Sequence, residues 1–243
     1  MVVFVKEFGS WEKAAQACAG YDSQAIIEKV YQSALKVKSG EAVYERDSVL
    51  FDRVQYSWPV LSALMWVAAQ NEGRLNVIDF GGALGTSYYQ NQKFLESLKD
   101  VRWNIVEQEK FVEIGKKDFE NQQLKFYSDL DVCMRDTGAP VVLFSGVLQY
   151  LQNPYGILKK IKSANVKVII FDMTPFHLGK QDRIVIQSVP RSIYKARYPS
   201  WIFSEAQFLA FFKNDSVLES FENFRGILTN DTVFKGYLIR LNH

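Results

Sequence analysis

Leu75-Asn-Val-Ile-Asp-Phe-Gly-Gly-Ala-Leu-Gly-Thr-Ser87 is the stretch that decides the fold of this chain. Its apolar run has the length of a buried strand and ends at Asp79, and three glycines follow (Gly81, Gly82 and Gly85). The two hydroxyl residues that close the stretch are types that begin helices. A strand, a glycine turn and a helix start in this order let a ligand approach backbone N–H groups closely. The stretch therefore predicts a nucleotide-type binding site.

Composition and charge exclude several function classes. With 48% hydrophobic and 23% charged residues in 243, the chain has the composition of one large globular α/β domain, or of one domain with an appendage. A formal net charge of +2 is too small to indicate binding to nucleic acid or to an anionic membrane. Two cysteines and two histidines without metal-ligand spacing predict neither a disulfide framework nor a metal site.

Targeting signals are not recognisable in the sequence. The first ten residues become charged too soon for a secretory leader, and no run of about 18 apolar residues could form a membrane span. The sequence therefore predicts a cytoplasmic protein.

The part of the chain before the glycine-rich stretch favours helices. Residues 10–71 show helical spacing of apolar side chains, and Ser57 with Pro59 is expected to start the last of these helices, because proline fits the first turn. Residues 40–55 have no clear period and fit either a surface connection or a lid over a bound ligand. We expect residues 1–73 to form an N-terminal helical cap and residues 74–243 to form the binding domain.

From residue 75 onward, strands alternate with helices. The predicted strands are residues 75–80, 101–106, 124–127, 141–144 and 166–171, and two closing strands are residues 217–221 and 233–241. Five alternations predict a parallel sheet with helices on both faces. Residues 172–203 break the alternation with three prolines and contain one plausible strand at 184–187, so we expect an insertion over the open end of the sheet.

A second acidic residue completes the candidate nucleotide site. Glu107 follows the second predicted strand, which in a doubly wound sheet ends beside the first. A carboxylate there can accept hydrogen bonds from both ribose hydroxyls, so the pattern indicates an adenosine-containing ligand. The structural alternative is that Asp79 and Glu107 merely interact with helix N-termini. A nicotinamide dinucleotide is disfavoured, because the glycines lack the Gly-x-Gly-x-x-Gly spacing.

The glycine stretch resembles the first motif of S-adenosylmethionine (SAM)-dependent class I methyltransferases, with Ala83 where a glycine is usual. Residues 143–151 are similar to the fourth-strand motif of these enzymes, and the two closing strands match their ending. The resemblance implies a Rossmann-like, doubly wound, seven-stranded sheet whose last strand is antiparallel. It also implies SAM as cofactor and S-adenosylhomocysteine (SAH) as product.

A narrower resemblance covers nearly the whole chain. The glycine loop and the pieces at residues 40–47, 55–59, 103–108 and 182–204 look like those of a family classed as methyltransferases and found with bacterial surface-polysaccharide (O-antigen and capsule) biosynthesis genes. This implies an enzyme that O-methylates a saccharide or nucleotide-sugar precursor, with a small-molecule or glycan acceptor. A methyltransferase-fold protein that acts without catalysis in polysaccharide assembly is the alternative from another class.

The resemblance to SAM-dependent methyltransferases implies one set of contacts for each part of SAM. The amino-acid part would meet the backbone of Gly81, Gly82 and Gly85 and the Asp79 carboxylate; the ribose would meet Glu107; the adenine would meet Gln108, Ser128 and Asp129; and the methyl-donor end would meet Ser145 and Gly146. For Ser128 and Asp129 a plain turn is the alternative.

Methyl transfer to a hydroxyl needs positioning and one base, since SAM already carries its leaving group. His177, after the fifth strand, is the first candidate for the base, Asp172 is its rival and Tyr150 is a weaker one; as an alternative His177 is an exposed loop imidazole. Aromatic faces and arginines suit a sugar or a nucleotide-sugar phosphate. The candidates for acceptor binding are Tyr56, Arg183, Arg191, Tyr194, Tyr198 and Trp201. The alternative for those in the insertion is that they hold it to the core.

Overall fold

Strands and helices alternate through the middle of the chain. The computed structural model describes residues 3–18, 24–189, 196–229 and 231–242. Its elements are β1 (Val3–Phe8), α1 (Trp11–Gln16), α2 (Gln24–Lys38), β2 (Tyr44–Arg46), β3 (Val49–Phe51), α3 (Trp58–Gln70), β4 (Arg74–Phe80), α4 (Thr86–Leu95), β5 (Asp100–Val106), α5 (Glu109–Asp118), β6 (Leu124–Tyr127), α6 (Leu130–Thr137), β7 (Val141–Ser145), a 3₁₀ turn (Leu148–Tyr150), α7 (Pro154–Lys162), β8 (Val168–His177), β9 (Arg183–Ser188), β10 (Arg197–Ser204), α8 (Glu205–Phe211), β11 (Ser216–Thr229) and β12 (Thr232–Arg240).

Seven of the strands form the predicted doubly wound sheet. The neighbours run β6-β5-β4-β7-β8, all parallel, and β12 then pairs antiparallel with both β8 and β11. The β8 strand is buried at all of its positions, as expected for a strand between helical layers. The predicted fold class, a Rossmann-like sheet whose last strand is antiparallel, is confirmed.

Helices cover both faces of this sheet. Alternate strand residues point to opposite faces, so Val77 and Leu143 pack with α2, α3, α4 and α5. Their neighbours Ile78 and Val142 pack with α6, α7 and α8 on the other face. The β4 strand lies where the strand order reverses, between β5 and β7. In open α/β sheets ligands bind in the crevice at this reversal, outside the carboxyl ends of the strands.

Residues 172–203 extend the sheet more than the sequence predicted. The β8 strand continues to His177 although Pro175 lies within it, and Pro175 pairs with Phe234 of β12. The predicted strand at 184–187 is confirmed as β9, which pairs antiparallel with β10 and β1. Only the last two residues of β10 reach β8, at Phe176 and His177. The β1, β9 and β10 strands therefore lie beyond the carboxyl end of β7.

The segment before β4 contains the helices α1, α2 and α3. It also contains the β1 strand and the β2–β3 hairpin, and the sequence predicted neither of these two. A further unpredicted helix, α6, begins after Asp129 and ends at Gly138. The division of the chain into a cap and a binding domain stays a prediction. No helix among the described ranges is both long and apolar enough to cross a membrane.

Candidate functional site

The glycine loop follows β4 at the strand reversal. Gly81 has a φ of +71°, and a Cβ there would lie 2.3 Å from Cγ2 of Val147, so both the backbone and the packing require glycine. Ala83 also adopts a left-handed φ, +49°, which costs about 1 kcal/mol for a residue with a side chain. Ala83 thus keeps the left-handed backbone that a glycine would adopt without strain.

Three successive N–H groups of this loop have no backbone acceptor. The Gly81 N–H donates to the Val106 carbonyl at 2.8 Å, and the Gly85 N–H donates to the Gly82 carbonyl at 3.0 Å. Between them, the N–H groups of residues 82–84 make no backbone hydrogen bond within the described part of the chain. Such unsatisfied donors before a helix are typical of sites that bind anionic or polar ligand groups.

The Asp79 carboxylate lies beneath the loop. It is buried, and it accepts a hydrogen bond of 3.0 Å from Nε1 of Trp103. A Cβ on Gly82 would lie 2.7 Å from its Cγ, so Gly82 is glycine because this carboxylate occupies the space. Burial raises the pKa of Asp79 to about 7, against the effect of the Trp103 hydrogen bond, and the nearby Glu107 adds to the rise. A ligand ammonium at this position would favour the ionised form.

Glu107 lies next to the loop, as the chain order predicted. Phe80 pairs with Val106 in the β4–β5 register, so the residues that follow them, Gly81 and Glu107, are neighbours. Glu107 is half-buried, and its Oε2 accepts the N–H of Gln108 at 2.5 Å. Burial raises its pKa to about 7 although this hydrogen bond lowers it. The remaining lone pairs of the Glu107 carboxylate can accept hydrogen bonds from ribose hydroxyls. These hydroxyls would replace the water that burial removes from the carboxylate.

The other residues predicted to contact adenine lie on the exposed surface. Gln108 is exposed at the start of α5. Ser128 and Asp129 are exposed after β6, and the Asp129 carboxylate accepts the Val132 N–H at 2.9 Å, so it caps α6. This helix cap is a structural role for Asp129, and adenine contacts by these residues stay predictions.

A buried carboxylate joins the ends of β7 and β8. Asp172 pairs with Ser145 in the strand register, and its carboxylate accepts the Ser145 hydroxyl at 2.8 Å. It also accepts Nδ2 of Asn223 at 2.6 Å and the hydroxyl of Ser57 at 3.3 Å. Asp172 is 1% exposed, whereas Ser145 is half-buried. The Ser145 hydroxyl therefore lies between the carboxylate and the open end of the sheet.

Two partners of Asp172 were missed by sequence reasoning. Ser57 lies at the start of α3 as predicted, but its side chain makes no capping hydrogen bond and reaches Asp172 instead. Asn223 also accepts the N–H of Met173, whose φ is +49°. Gly146 next to them has a φ of +68°, and its N–H donates to the Asp172 carbonyl at 2.9 Å. The predicted methyl-donor end, Ser145 and Gly146, is thus joined to Asp172.

His177 lies away from this cluster. It is five residues beyond Asp172 on the same strand, roughly 16 Å at the usual rise of a strand. Its Nδ1 accepts the Gly179 N–H at 2.9 Å, which places the proton on Nε2, 2.9 Å from the Gln181 carbonyl. The imidazole is 2% exposed, so the alternative of an exposed loop imidazole is wrong. The structure does not bring His177 to Ser145, and its role as base stays a prediction.

The weaker candidate for the base, Tyr150, and two residues predicted to bind an acceptor are engaged in contacts with their own surroundings. The Tyr150 hydroxyl donates to Oε1 of Gln187 at 2.9 Å, while Nε2 of Gln187 donates to the Tyr198 hydroxyl at 3.1 Å. Trp201 donates from Nε1 to the Leu151 carbonyl at 2.9 Å. These contacts fit the alternative that such side chains hold the insertion to the core.

Of the remaining candidates, Arg183 forms an ion pair with Asp231 at 2.7 Å. The Tyr56 ring packs against Trp58, with ring centroids 4.9 Å apart, and against Phe94 of α4. Arg191 and Tyr194 lie outside the described residues.

The β2–β3 hairpin adds two charged residues that sequence reasoning did not single out. Glu45 is buried and accepts the hydroxyl of Thr86, the first residue of α4. Arg46 is half-buried, and its Nη1 lies 3.6 Å from Sδ of Met173. Both residues fall in the 40–47 piece of the family resemblance, which was the available signal.

Comparison with known proteins identifies the fold. No family model matches the chain, and no curated protein matches it. Among solved structures, the N-terminal domain of EvdMO1, crystallised in the presence of SAH and D-fucose, is similar with a TM-score of 0.55 at 12% identity, over 88% of this chain and 97% of that one. LepI in complex with SAM is similar with a TM-score of 0.50 at 9% identity, over 75% of this chain and 46% of that one. At these identities the likeness shows the fold alone.

Proposed function

We propose that this protein is a SAM-dependent methyltransferase that O-methylates a saccharide or a nucleotide-sugar precursor of a surface polysaccharide. The observation that carries the proposal is the placement of Glu107 beside Gly81 at the strand reversal of a sheet whose last strand is antiparallel. The similar folds of EvdMO1 and LepI, solved with SAH and SAM respectively, support the choice of cofactor.

In the proposed site the residues at the strand reversal would contact the ribose, the amino-acid part and the sulfonium of SAM. The carboxylate of Glu107 would hold the ribose, and the free N–H groups of residues 82–84 would face the amino-acid part. The Ser145 and Gly146 end of β7 would lie at the sulfonium. SAM supplies an activated methyl group there. The protein has to align the acceptor oxygen and to remove its proton.

In this proposal Asp172 takes the acceptor proton through Ser145. The Ser145 hydroxyl donates to the carboxylate, so its lone pairs are free to accept a hydrogen bond from an acceptor hydroxyl. As the acceptor loses its proton to Ser145 Oγ, the Ser145 proton passes to Asp172. Asn223 and Ser57 hold the carboxylate in place for this transfer. We prefer Asp172 to His177, because both ring nitrogens of His177 are engaged with backbone groups.

The proposal is tested first by isothermal titration of the purified protein with SAM and SAH. We expect binding of both; no binding of either at high micromolar concentration would exclude the proposed cofactor. Radiolabelled methyl transfer from SAM to a panel of nucleotide sugars and free sugars then tests the acceptor. D-fucose belongs in the first panel, because the EvdMO1 domain was crystallised in its presence. SAM binding without transfer to any glycan of the panel would contradict the saccharide proposal.

Glu107→Gln is expected to weaken SAH binding by about 10- to 100-fold at about pH 8.5 but only about twofold at about pH 5.5. Burial raises the pKa of Glu107 to about 7, so the wild-type carboxyl is ionised at the higher pH and neutral at the lower. Only the ionised form accepts charge-assisted hydrogen bonds from both ribose hydroxyls. Isothermal titration at the two pH values measures the difference.

The sign of this pH effect follows from linkage. Because SAH favours the ionised carboxylate, wild-type affinity should rise as the pH rises through about 7, and binding should release a proton. Titration in two buffers of different ionisation enthalpy measures that release. Asp79, with a pKa of about 7, is present in both proteins, and its pKa should be lower in Glu107→Gln because the Glu107 charge adds to its rise. The same pH dependence in the wild type and in Glu107→Gln would show that Glu107 does not hold the ribose.

A further inference from the structure

The β2–β3 hairpin forms contacts on both sides of the glycine loop. On one side Glu45 binds the Thr86 hydroxyl at the start of α4 and accepts the Ser48 N–H at 3.3 Å. Nearby, Nε2 of Gln90, one turn along α4, donates to the Tyr44 hydroxyl at 3.2 Å. On the other side the next residue, Arg46, reaches the end of β8. The hairpin therefore carries the Arg46 side chain to the carboxyl edge of the sheet.

The guanidinium of Arg46 has weak partners for a half-buried cation. Its Nη1 lies 3.6 Å from the Met173 thioether, a weak acceptor, and its Cζ lies 5.7 Å from the Tyr44 ring centroid. No ion pair of Arg46 occurs within the part of the chain that the structure describes. The adjacent Glu45 carboxylate is directed to Thr86 and Ser48 instead. The Glu45 charge acts on the guanidinium without an ion pair at contact distance. Because a half-buried charge without a direct ion pair is unfavourable, this position favours an anionic group of a ligand.

The place of Arg46 indicates which anion it would meet. Met173, its contact, directly follows Asp172, and the terminal methyl carbon of Met173 lies 3.5 Å from the ideal Cβ position of Gly146. In the proposed site the amino-acid part of SAM lies between the glycine loop and Gly146. That part carries an α-carboxylate, a group that the planar fork of arginine binds with two parallel hydrogen bonds.

We infer that Arg46, presented by the β2–β3 hairpin, binds the α-carboxylate of the methionyl part of SAM and SAH. The inference rests on the proposed function and adds to it a second anchor, opposite Glu107. It also gives residues 40–55 a role: the hairpin closes over the cofactor because its arginine forms part of the cofactor site.

The test compares two ligands that differ in the amino-acid part. SAH carries the α-carboxylate, whereas 5′-methylthioadenosine keeps the adenosine and the sulfur and lacks the amino-acid group. Isothermal titration with both ligands is carried out on the wild type, Arg46→Met and Arg46→Lys. Arg53→Met is the matched control, because Arg53 is exposed seven residues along the chain.

Arg46→Met is expected to lose about 10- to 100-fold in affinity for SAH and to bind 5′-methylthioadenosine as the wild type does. Arg46→Lys should recover part of the SAH affinity, because lysine keeps the charge without the fork. Arg53→Met should match the wild type with both ligands. Retained methylthioadenosine binding shows that the adenosine side of the site is intact.

Two results would overturn the inference. Unchanged SAH affinity in Arg46→Met would show that Arg46 does not bind the α-carboxylate of SAH and leaves its guanidinium to an anionic acceptor. An equal loss of affinity for both ligands would show only that the hairpin supports the fold. Failure of the proposed function looks different, because the wild type would then bind neither SAH nor 5′-methylthioadenosine.

Discussion

Asp172→Asn is expected to lower the turnover of methyl transfer by about 100-fold or more, the usual contribution of a general base, with SAH affinity nearly unchanged. Asparagine has the same shape but cannot take a proton at neutral pH. The three donors around the wild-type carboxylate, from Ser145, Asn223 and Ser57, would still surround the side chain. Single-turnover transfer of a labelled methyl group measures the loss, and titration with SAH checks the site.

Asp131→Asn is the matched control for this prediction. This substitution is the same chemical change, made at an exposed position of α6. The ion pair of Asp131 with Lys160 contributes little to stability there. It should retain wild-type turnover. The contradictory outcome is wild-type turnover in Asp172→Asn combined with loss of turnover in His177→Ala at unchanged SAH affinity and stability. That result would assign the role of base to His177. It would also require the end of β8, where His177 lies, to approach the acceptor.

Gly236→Ala is expected to lower the free energy of unfolding by about 3 kcal/mol or more, at the upper end of the range for overpacking. A Cβ at Gly236 would lie 2.1 Å from Cζ of Phe221 and 2.5 Å from the carbonyl oxygen of Phe171. The Phe221 ring can rotate, but the Phe171 carbonyl is fixed within β8. Urea denaturation followed by circular dichroism measures the change.

The physical reason lies in how the last strand joins the sheet. Gly236 pairs with Phe221 of β11, and the register with β8 shifts between Lys235 and Tyr237. Such a shift brings the backbones together where only glycine fits. Gly9→Ala is the control, because nothing lies within 4 Å of its ideal Cβ position. A Gly236→Ala protein as stable as Gly9→Ala would mean that β12 does not approach β8 so closely.

The parallel strands and most helices of the fold could be predicted because their signals are local. The strand β6 has the predicted bounds, 124–127, and β5 differs from its prediction by one residue at its start. Continuous apolar runs and helix-capping residues lie within a few residues of the element they specify. The switch-point position of Glu107 also followed from chain order, since parallel neighbours end at the same edge of the sheet.

Elements stabilised by distant partners could not be predicted. The extension of β8 through Pro175 depends on pairing with β12, which lies more than fifty residues later in the chain. The α6 helix is short, and Asp129, which caps its start, was interpreted as a binding residue. The β1 strand and the β2–β3 hairpin lacked any periodic pattern long enough to recognise.

The sequence by itself determined the sheet, its glycine loop and the position of Glu107, the acid proposed to bind the ribose, because the order of strands places Gly81 and Glu107 at one edge. The tertiary structure alone decided what surrounds Asp172. Ser57 and Asn223 reach that carboxylate from positions 115 and 51 residues away. Hydrogen bonds between such distant residues leave no periodicity in the sequence, since they depend on where helices and strands pack. The same packing separates His177 from Ser145 and directs Arg46 toward Met173.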